Sequence, residues 1–433
     1  MPEPVPAQAG GFAPAPVETS VLHRELPLIP APRAGQRDSR PGLSGVQPED
    51  LLRWVAAHGQ PAYRARQLAD HVWSGRATSY GEMHTLPGDL RADLETTYRL
   101  DTLVETSVRP TDGGLTEKAL HRLDDGRIVE SVLMRYPARG PRKERATVCI
   151  SSQAGCAVGC PFCATGELGF WRDLAAAEIL DQVRFWRHRL AAEGRRLTNV
   201  VFMGMGEPLL NAGAVLDAAA ALSDSRRFGL GARHITISTS GVVPGIARLT
   251  AERPQYTLAV SLHAARHPLR DLLVPLNRRW SETEVVAAAA GYAAVTGRRV
   301  TYEIVMIDGI NDTHDDAVAV ARLLHGQLAH VNLIPMNPVA HTPWLPSGRE
   351  RIEAFAAVLR ASGLRTTTRG NRGIEIGAAC GQLAAELAGG PTPAAVALRH
   401  RMLVDRSAAA LRESLGLPAV GPASLARAPA PTA

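Results

Sequence analysis

Lysine is nearly missing from this chain of 433 residues. Of its 48 basic residues only Lys118 and Lys143 are lysines, and against 42 acidic residues they leave a net charge of +6. A GC-rich genome imposes such a bias. Arginine also suits bidentate contact with phosphate, so a nucleic-acid partner is permitted without being required. Long apolar runs are missing as well. None reaches the roughly 18 residues that cross a bilayer, which leaves no candidate membrane-spanning helix. The opening "MPEPVPAQAGGFAPAPVETS" has neither the basic start nor the apolar stretch of a secretory signal, so the protein is expected in the cytoplasm. Cysteine is scarce: Cys149, Cys156, Cys160, Cys163 and Cys380. In a reducing compartment these are expected to bind metal or to react rather than to form structural disulfides.

The composition divides the chain. Residues 1–46 are rich in Pro, Ala and Gly and read as a disordered extension. Residues 47–102 read as a small helical unit of three helices, two of them opened or closed by Pro61, Gly59 and Gly75. Arg64 and Arg66 on the second helix could touch phosphate or could simply be solvated. Residues 103–145 turn strand-like, with "KALHRL" and "IVESVLMRY", and read as a β-strand linker. From 146 to 390 strands and helices alternate. The strand candidates are "ATVCISS", "NVVFMG", "HITISTS", "LAVSLH", "RVTYEIVMI" and "HVNLIPM", and helices are expected over 173–192 and 281–296. This is an α/β pattern with a parallel sheet. An open doubly wound sheet and a partial barrel both fit it. Residues 391–433 read as a loosely ordered tail with one possible helix near 394–414.

In parallel α/β architectures sites form at the C-terminal ends of strands, and the unusual polar motifs here fall at such ends. The first strand runs into "CAVGCPFCATG", with Cys156, Cys160 and Cys163 on one short loop. Three thiolates can hold three corners of an iron–sulfur cubane or three positions of a tetrahedral zinc. Zinc wants a fourth ligand, none is near in sequence, and His188 falls inside a predicted helix. The second strand ends in "MGMGEPLLN", the third in "STSG", the fourth in "SLHA" and the sixth in "PMNP". Cys380 lies in "NRGIEIGAACGQL", whose small, glycine-rich surroundings suit a reactive thiol.

The C-x3-C-x2-C loop after the first strand of a βα array resembles that of the radical S-adenosylmethionine (SAM) enzymes. "VCISSQAGCAVGCPFCATG", "MGMGEPLLN", "ISTSGVVP", "SLHA", "IPMNP" and "RGIEIGAACGQ" together resemble the RlmN-type RNA methyltransferases, over about residues 47–390. The resemblance implies a partial (β/α)6 radical-SAM barrel behind a small N-terminal helical RNA-binding domain. It implies one [4Fe–4S] cluster on Cys156, Cys160 and Cys163, and two SAM molecules per turnover. Gly206 and Glu207 would meet the SAM amino group; Ser238, Ser261, Leu262, His263 and Asn337 would contact the rest of SAM. The implied reaction methylates C2 of adenine in 23S rRNA, at the peptidyl-transferase centre, and in tRNA, 3′ of the anticodon. Electrons would come from a donor such as flavodoxin or ferredoxin. Cys380 would carry the methyl group, Glu130 would accept the C2 proton, and Cys149 would release the RNA adduct through a transient disulfide with Cys380. The plainer alternatives are an exposed glutamate on an edge strand for Glu130 and a buried core thiol for Cys149. The chain departs from the family pattern in its long terminal extensions and in extra residues between Glu130 and Cys149. Two other functions fit less fully. One is a relative that methylates adenine C8 and confers antibiotic resistance; the other is a non-catalytic, metal-stabilised RNA-binding protein, which would have no use for Cys380 or Cys149.

Overall fold

The computed structural model describes residues 38–75, 77–141, 143–339, 342, 344–370, 373, 377–379, 381–382 and 408–417. Cys380 lies outside the described residues, as do most of the N-terminal extension and most of the C-terminal tail.

The three expected helices form at Pro48–Ala57, Tyr63–Trp73 and Gly88–Thr97. The first has proline at its start and Glu49 and Asp50 in its first turn, where their charge favours the helix dipole. Their apolar faces bury Leu51, Val55, Leu68, Val72, Leu90 and Leu94. The unit is fastened to the barrel by polar groups of helix Ala176–Ala192. Arg184 donates to the carbonyls of Val72 (2.8 Å) and Leu100 (2.6 Å), and Asp181 accepts from the backbone and hydroxyl of Thr102.

Among the described residues ten of the twelve strands form one sheet. They are β1 (Val104–Thr111), β2 (Thr116–Arg122), β3 (Ile128–Tyr136), β4 (Arg145–Cys149), β7 (Asn199–Phe202), β8 (Ile235–Thr239), β9 (Thr257–Ser261), β10 (Val300–Met306), β11 (Ala329–Pro335) and β12 (Arg365–Thr368), in that spatial order. β5 (Gln153–Gly155) and β6 (Phe170–Asp173) pair separately. β1 to β4 are antiparallel; from β4 onward every pair is parallel. The parallel strands follow chain order without reversal, whereas a doubly wound sheet reverses at a switch point. That decides for the partial barrel. The linker expected over 103–145 is a three-stranded wing of the same sheet, with β3 between β2 and β4, so Glu130 does not sit on an edge.

The parallel strands alternate between two faces. Ile237, Leu258, Val260, Tyr302, Ile304, Val331 and Leu333 are buried. The intervening residues Thr147, Thr236, Thr257, Ala259, Thr301 and Asn332 line a cavity of about 580 Å³. Bulky side chains fill a closed eight-stranded barrel; the small and polar ones here leave this one open.

The described part of the N-terminal extension packs against the domain despite its expected disorder, and the described helix of the tail falls within the one expected near 394–414. Leu43 and Ser44 are buried, and the Trp73 indole donates to Ser44 O at 2.9 Å. In the tail, helix Ala408–Ser414 docks through buried Leu411 and through Arg412, which pairs with Asp316 at 3.0 Å. One leucine and one charge-paired arginine suffice to anchor segments whose overall composition signals none.

His121 of β2 lies beneath helix Ala176–Ala192, bonded to Ser131 Oγ (2.7 Å) and edge-on to Phe185. Burial pushes its pKa down from 6.5 to about 3. The unfolded chain takes a proton here below about pH 6.5, and the folded one refuses it until about pH 3. The stability this site contributes is therefore complete above pH 6.5 and is lost as pH falls, by about 1.4 kcal/mol per unit. His121→Gln is expected to lose less Tm than the parent between about pH 7 and pH 5, measured by thermal unfolding.

Candidate active site

Beyond β4 the chain enters the cysteine loop. Gly155 (φ 76°) opens it; a Cβ there would run into the carbonyl of Gly169. The Cys156 amide donates to Gly169 O at 2.7 Å, and the Cys163 amide to Cys160 O at 3.1 Å. Cys156, Cys160 and Cys163 all line a pocket of about 170 Å³ at the C-terminal ends of the barrel strands. Burial pushes the Cys156 thiol up to about 12, and burial with repulsion from Cys163 and Cys156 pushes Cys160 well up. Among the described residues no three His, Cys, Asp or Glu converge as a single metal ion requires. A cubane takes each thiolate at a separate iron corner, so its ligands line a wall instead. His188 is remote from the loop: its Nδ1 bonds Gly75 O at 2.9 Å.

The residues expected to bind SAM gather at this pocket with one exception. Gly206, Glu207, Ser238, Ser261, His263 and Asn337 line it; Leu262 is wholly buried and does not. Gly206 has φ 98°, and its missing side chain makes room for Gln153. Glu207 is already engaged by the protein. It accepts from the amides of Ser240 (2.6 Å) and Leu209 (3.0 Å) and from the Ser240 hydroxyl (2.8 Å), while its own amide donates to Gln153 Oε1 (2.9 Å). His263 also has positive φ (60°). Its Nδ1 accepts from the Val305 amide at 3.1 Å, and burial lowers its pKa to about 3, so the ring is neutral and carries its hydrogen on Nε2. The Phe162 ring of the cysteine loop meets it edge-on at 4.8 Å.

The larger cavity adjoins this pocket. Met203, Glu303, Ile334, Asn337 and Arg369 line both. Cys149 is buried, at 7% exposed, and packs within the hydrophobic core as the plainer alternative has it, and it also lines the larger cavity. Among the described residues the disulfide expected of it is not observed. The neighbours of Cys380 bracket the junction: Ala379 lines the larger cavity and Gly381 the smaller pocket. Gly381 O accepts from the amide of Ala164, next to Cys163, at 2.7 Å. Glu130 shares a face with Cys149, whose register partner on β3 is Val132, and is fully buried rather than exposed. On the helical unit, Arg64 is bonded to Gln67 Oε1 (2.8 Å) and to Thr85 O, while Arg66 is exposed.

The family model described as the Radical SAM superfamily matches residues 150–323. A protein from Parafrankia sp. (strain EAN1pec), named Probable dual-specificity RNA methyltransferase RlmN, is 51% identical over 375 residues, covering 83% of this chain and 95% of that protein. Its namesake from Saccharopolyspora erythraea is 45% identical over 377 residues, covering 84% and 100%. The chain belongs to the RlmN-type radical SAM RNA methyltransferase family. The crystal structure of a radical SAM methyltransferase from Sphaerobacter thermophilus agrees, with a TM-score of 0.77 at 48% identity over 80% of this chain and all of that one.

This family implies a [4Fe–4S] cluster and SAM. The residues present fit both: three half-buried thiols on one wall, which a metal's charge would deprotonate, and, around the same pocket, polar groups from the C-terminal ends of β7, β8, β9, β10, β11 and β12. Sequence reasoning missed the residues that hold this rim together. Arg270 is completely buried and donates to Ser240 O (2.6 Å), Leu262 O (3.0 Å) and Asn277 Oδ1 (2.6 Å). It also missed Glu303, which accepts from Asn332 Nδ2 at 2.8 Å and whose pKa burial raises. A lone charge in the apolar run "RVTYEIVMI" was the available signal for Glu303; nothing local distinguishes Arg270 from other helical arginines. Arg270→Met strands buried carbonyls and is expected to cost about 2 kcal/mol or more in urea unfolding, with Arg270→Lys intermediate because it keeps the charge without the fork.

Proposed function

We propose that this protein methylates C2 of adenine in 23S rRNA, at the peptidyl-transferase centre, and in tRNA, at the adenine 3′ of the anticodon. The observation that carries the reading is the junction. Cys149 and Ala379 line a cavity roomy enough for a base, and that cavity shares Met203, Glu303, Ile334, Asn337 and Arg369 with the cysteine pocket, which Gly381 lines. Cys156, Cys160 and Cys163 would hold the cluster, and Gly206, Glu207, Ser238, Ser261, His263 and Asn337 would hold SAM. When bound, these groups supply reductive cleavage of a sulfonium and a radical able to draw hydrogen from a methyl group. Two SAM molecules are used per turnover, and a donor such as flavodoxin or ferredoxin supplies the electrons.

Cys380 carries the methyl group as a thioether and thereby joins it to C2. Glu130 takes the C2 proton. Cys149, as its thiolate, then bonds to the sulfur of Cys380; the bond from that sulfur to the new carbon breaks with its electron pair going to the carbon, which takes up a proton to become the methyl group, leaving a transient disulfide. The target base must leave its stack to reach this depth, so the substrate site is a splayed loop nucleotide. The helical unit over 47–102, with exposed Arg66, holds the RNA backbone beside the barrel mouth. A purely RNA-binding role would leave Cys149 idle, although it opens onto the cavity.

The test is Cys149→Ala. This variant is expected to form the adduct without releasing it, and so to be purified with covalently bound RNA, seen as a nuclease-sensitive slow band on a denaturing gel. Adding Cys380→Ala should abolish the band. An RNA-free Cys149→Ala protein with normal turnover overturns the mechanism. Nucleoside mass spectrometry after anaerobic turnover on unmodified rRNA reads the carbon: 2-methyladenosine is expected, and 8-methyladenosine would place the chain with the C8 enzymes. Cys160→Ala should lose the iron absorbance, from about four irons per chain in the parent.

A further inference from the structure

Glu130 has no exposed surface, and a carboxylate so buried takes up a proton unless a counter-charge faces it. A base must begin as a carboxylate. One counter-charge facing it is Lys118. Its Nζ lies 3.6 Å from Glu130 Oε2, and the lysine is itself 2% exposed. The pairing follows from register: Leu120 stands opposite Glu130 and Lys118 opposite Val132, so both charged side chains share one face of the sheet with Cys149, which is also opposite Val132. Lys118 reaches a third partner, donating to the carbonyl of Gly377 at 3.5 Å. Gly377 belongs to the segment that lines both cavities at Ala379 and Gly381, on either side of Cys380.

The choice of residue is informative. Nearly every cation in this chain is arginine, and the other lysine, Lys143, is exposed. A guanidinium is a rigid planar fork; an ammonium is a compact charge with three donors that can turn toward separate acceptors. Only the ammonium suits a closed space between a carboxylate and a loop carbonyl.

We infer that Lys118 is a positioning residue for the methyl transfer: it keeps Glu130 ionised and ties it to the loop that carries Cys380. The inference rests on the role proposed above for Glu130. In the step it serves, the C2–H bond of the adduct breaks, the proton passes to the Glu130 carboxylate, and the electron pair stays on the adenine ring. The nearby ammonium then faces a neutral acid until that proton leaves.

The experiment uses full-length reconstituted enzyme and RNA transcribed with adenosine carrying either hydrogen or deuterium at C2. Lys118→Met should keep its iron and the methyl group on the Cys380 peptide. It should transfer methyl to RNA roughly a hundredfold more slowly, the usual worth of a positioned base. It should also show a deuterium isotope effect larger than the parent's and accumulate covalent RNA, because proton removal now limits the rate. Lys118→Gln keeps a donor for Gly377 without the charge, covers the case in which the methionine variant does not fold, and should show the same isotope effect. Parental rates in either variant, or slowing with no change in isotope effect, overturn the inference. Glu130→Gln separates it from its premise. If Glu130→Gln stalls with bound RNA while the Lys118 variants turn over normally, only the role of Lys118 falls; if Glu130→Gln turns over normally, the base assignment falls and the inference with it.

Discussion

A continuous line of buried hydrogen bonds around the barrel rim holds the loops on which everything else depends. Gln153 receives the amide of Glu207, whose carboxylate gathers Ser240; Ser240 O receives Arg270; and Arg270 reaches Leu262. The amides of Leu262 and His263 then donate to Glu303 O, and Asn311 Nδ2 bridges His263 O and Val305 O. Rim loops lack the ladder that satisfies strand backbones, so side chains must supply the partners. Each bond nets only about 1 kcal/mol, but each broken one strands a buried group at greater cost. The rim is therefore stiff as a unit, and the cysteine pocket inherits that stiffness.

The second constraint is the open interior. Seven parallel strands in chain order curl without closing, and small or polar side chains point inward. The consequence is a cavity continuous with the cysteine pocket, which a filled barrel could not offer. The antiparallel wing extends the same curved sheet, lines the cavity through Val132, Met134 and Tyr136, and carries Glu130 and Lys118 on the face they share with Cys149. One sheet thus presents residues from its parallel and antiparallel halves to a single space.

The helical unit and the termini add grip rather than chemistry. Arg184 and Asp181 bind it to the barrel through backbone groups, so its placement relies on helix Ala176–Ala192 and not on its own sequence. The docked pair Leu411 and Arg412 ties the tail to Asp316, which also pairs with Arg266 just beyond the rim at His263.

Much was legible beforehand, because it depends on local periodicity and on spacing. Six of the seven parallel strands fell within about three residues of "ATVCISS" through "HVNLIPM", since β-branched runs bounded by turn residues have one local solution, while the short β12 had no expected counterpart. The cysteine loop, the glycine segment and the membership of the family were legible for the same reason: three thiols within eight positions need no tertiary contact to be noticed. Three things were decided only by the fold. The wing's place in the main sheet depends on pairing between β3 and β4, across a polar insertion that carries no pairing signal. Burial of Leu43 and Leu411 depends on which surface each meets, since composition averages over such anchors. The joining of Lys118 to Glu130 depends on the register of β2 against β3: a shift of one residue would turn one of the two charges to the opposite face of the sheet.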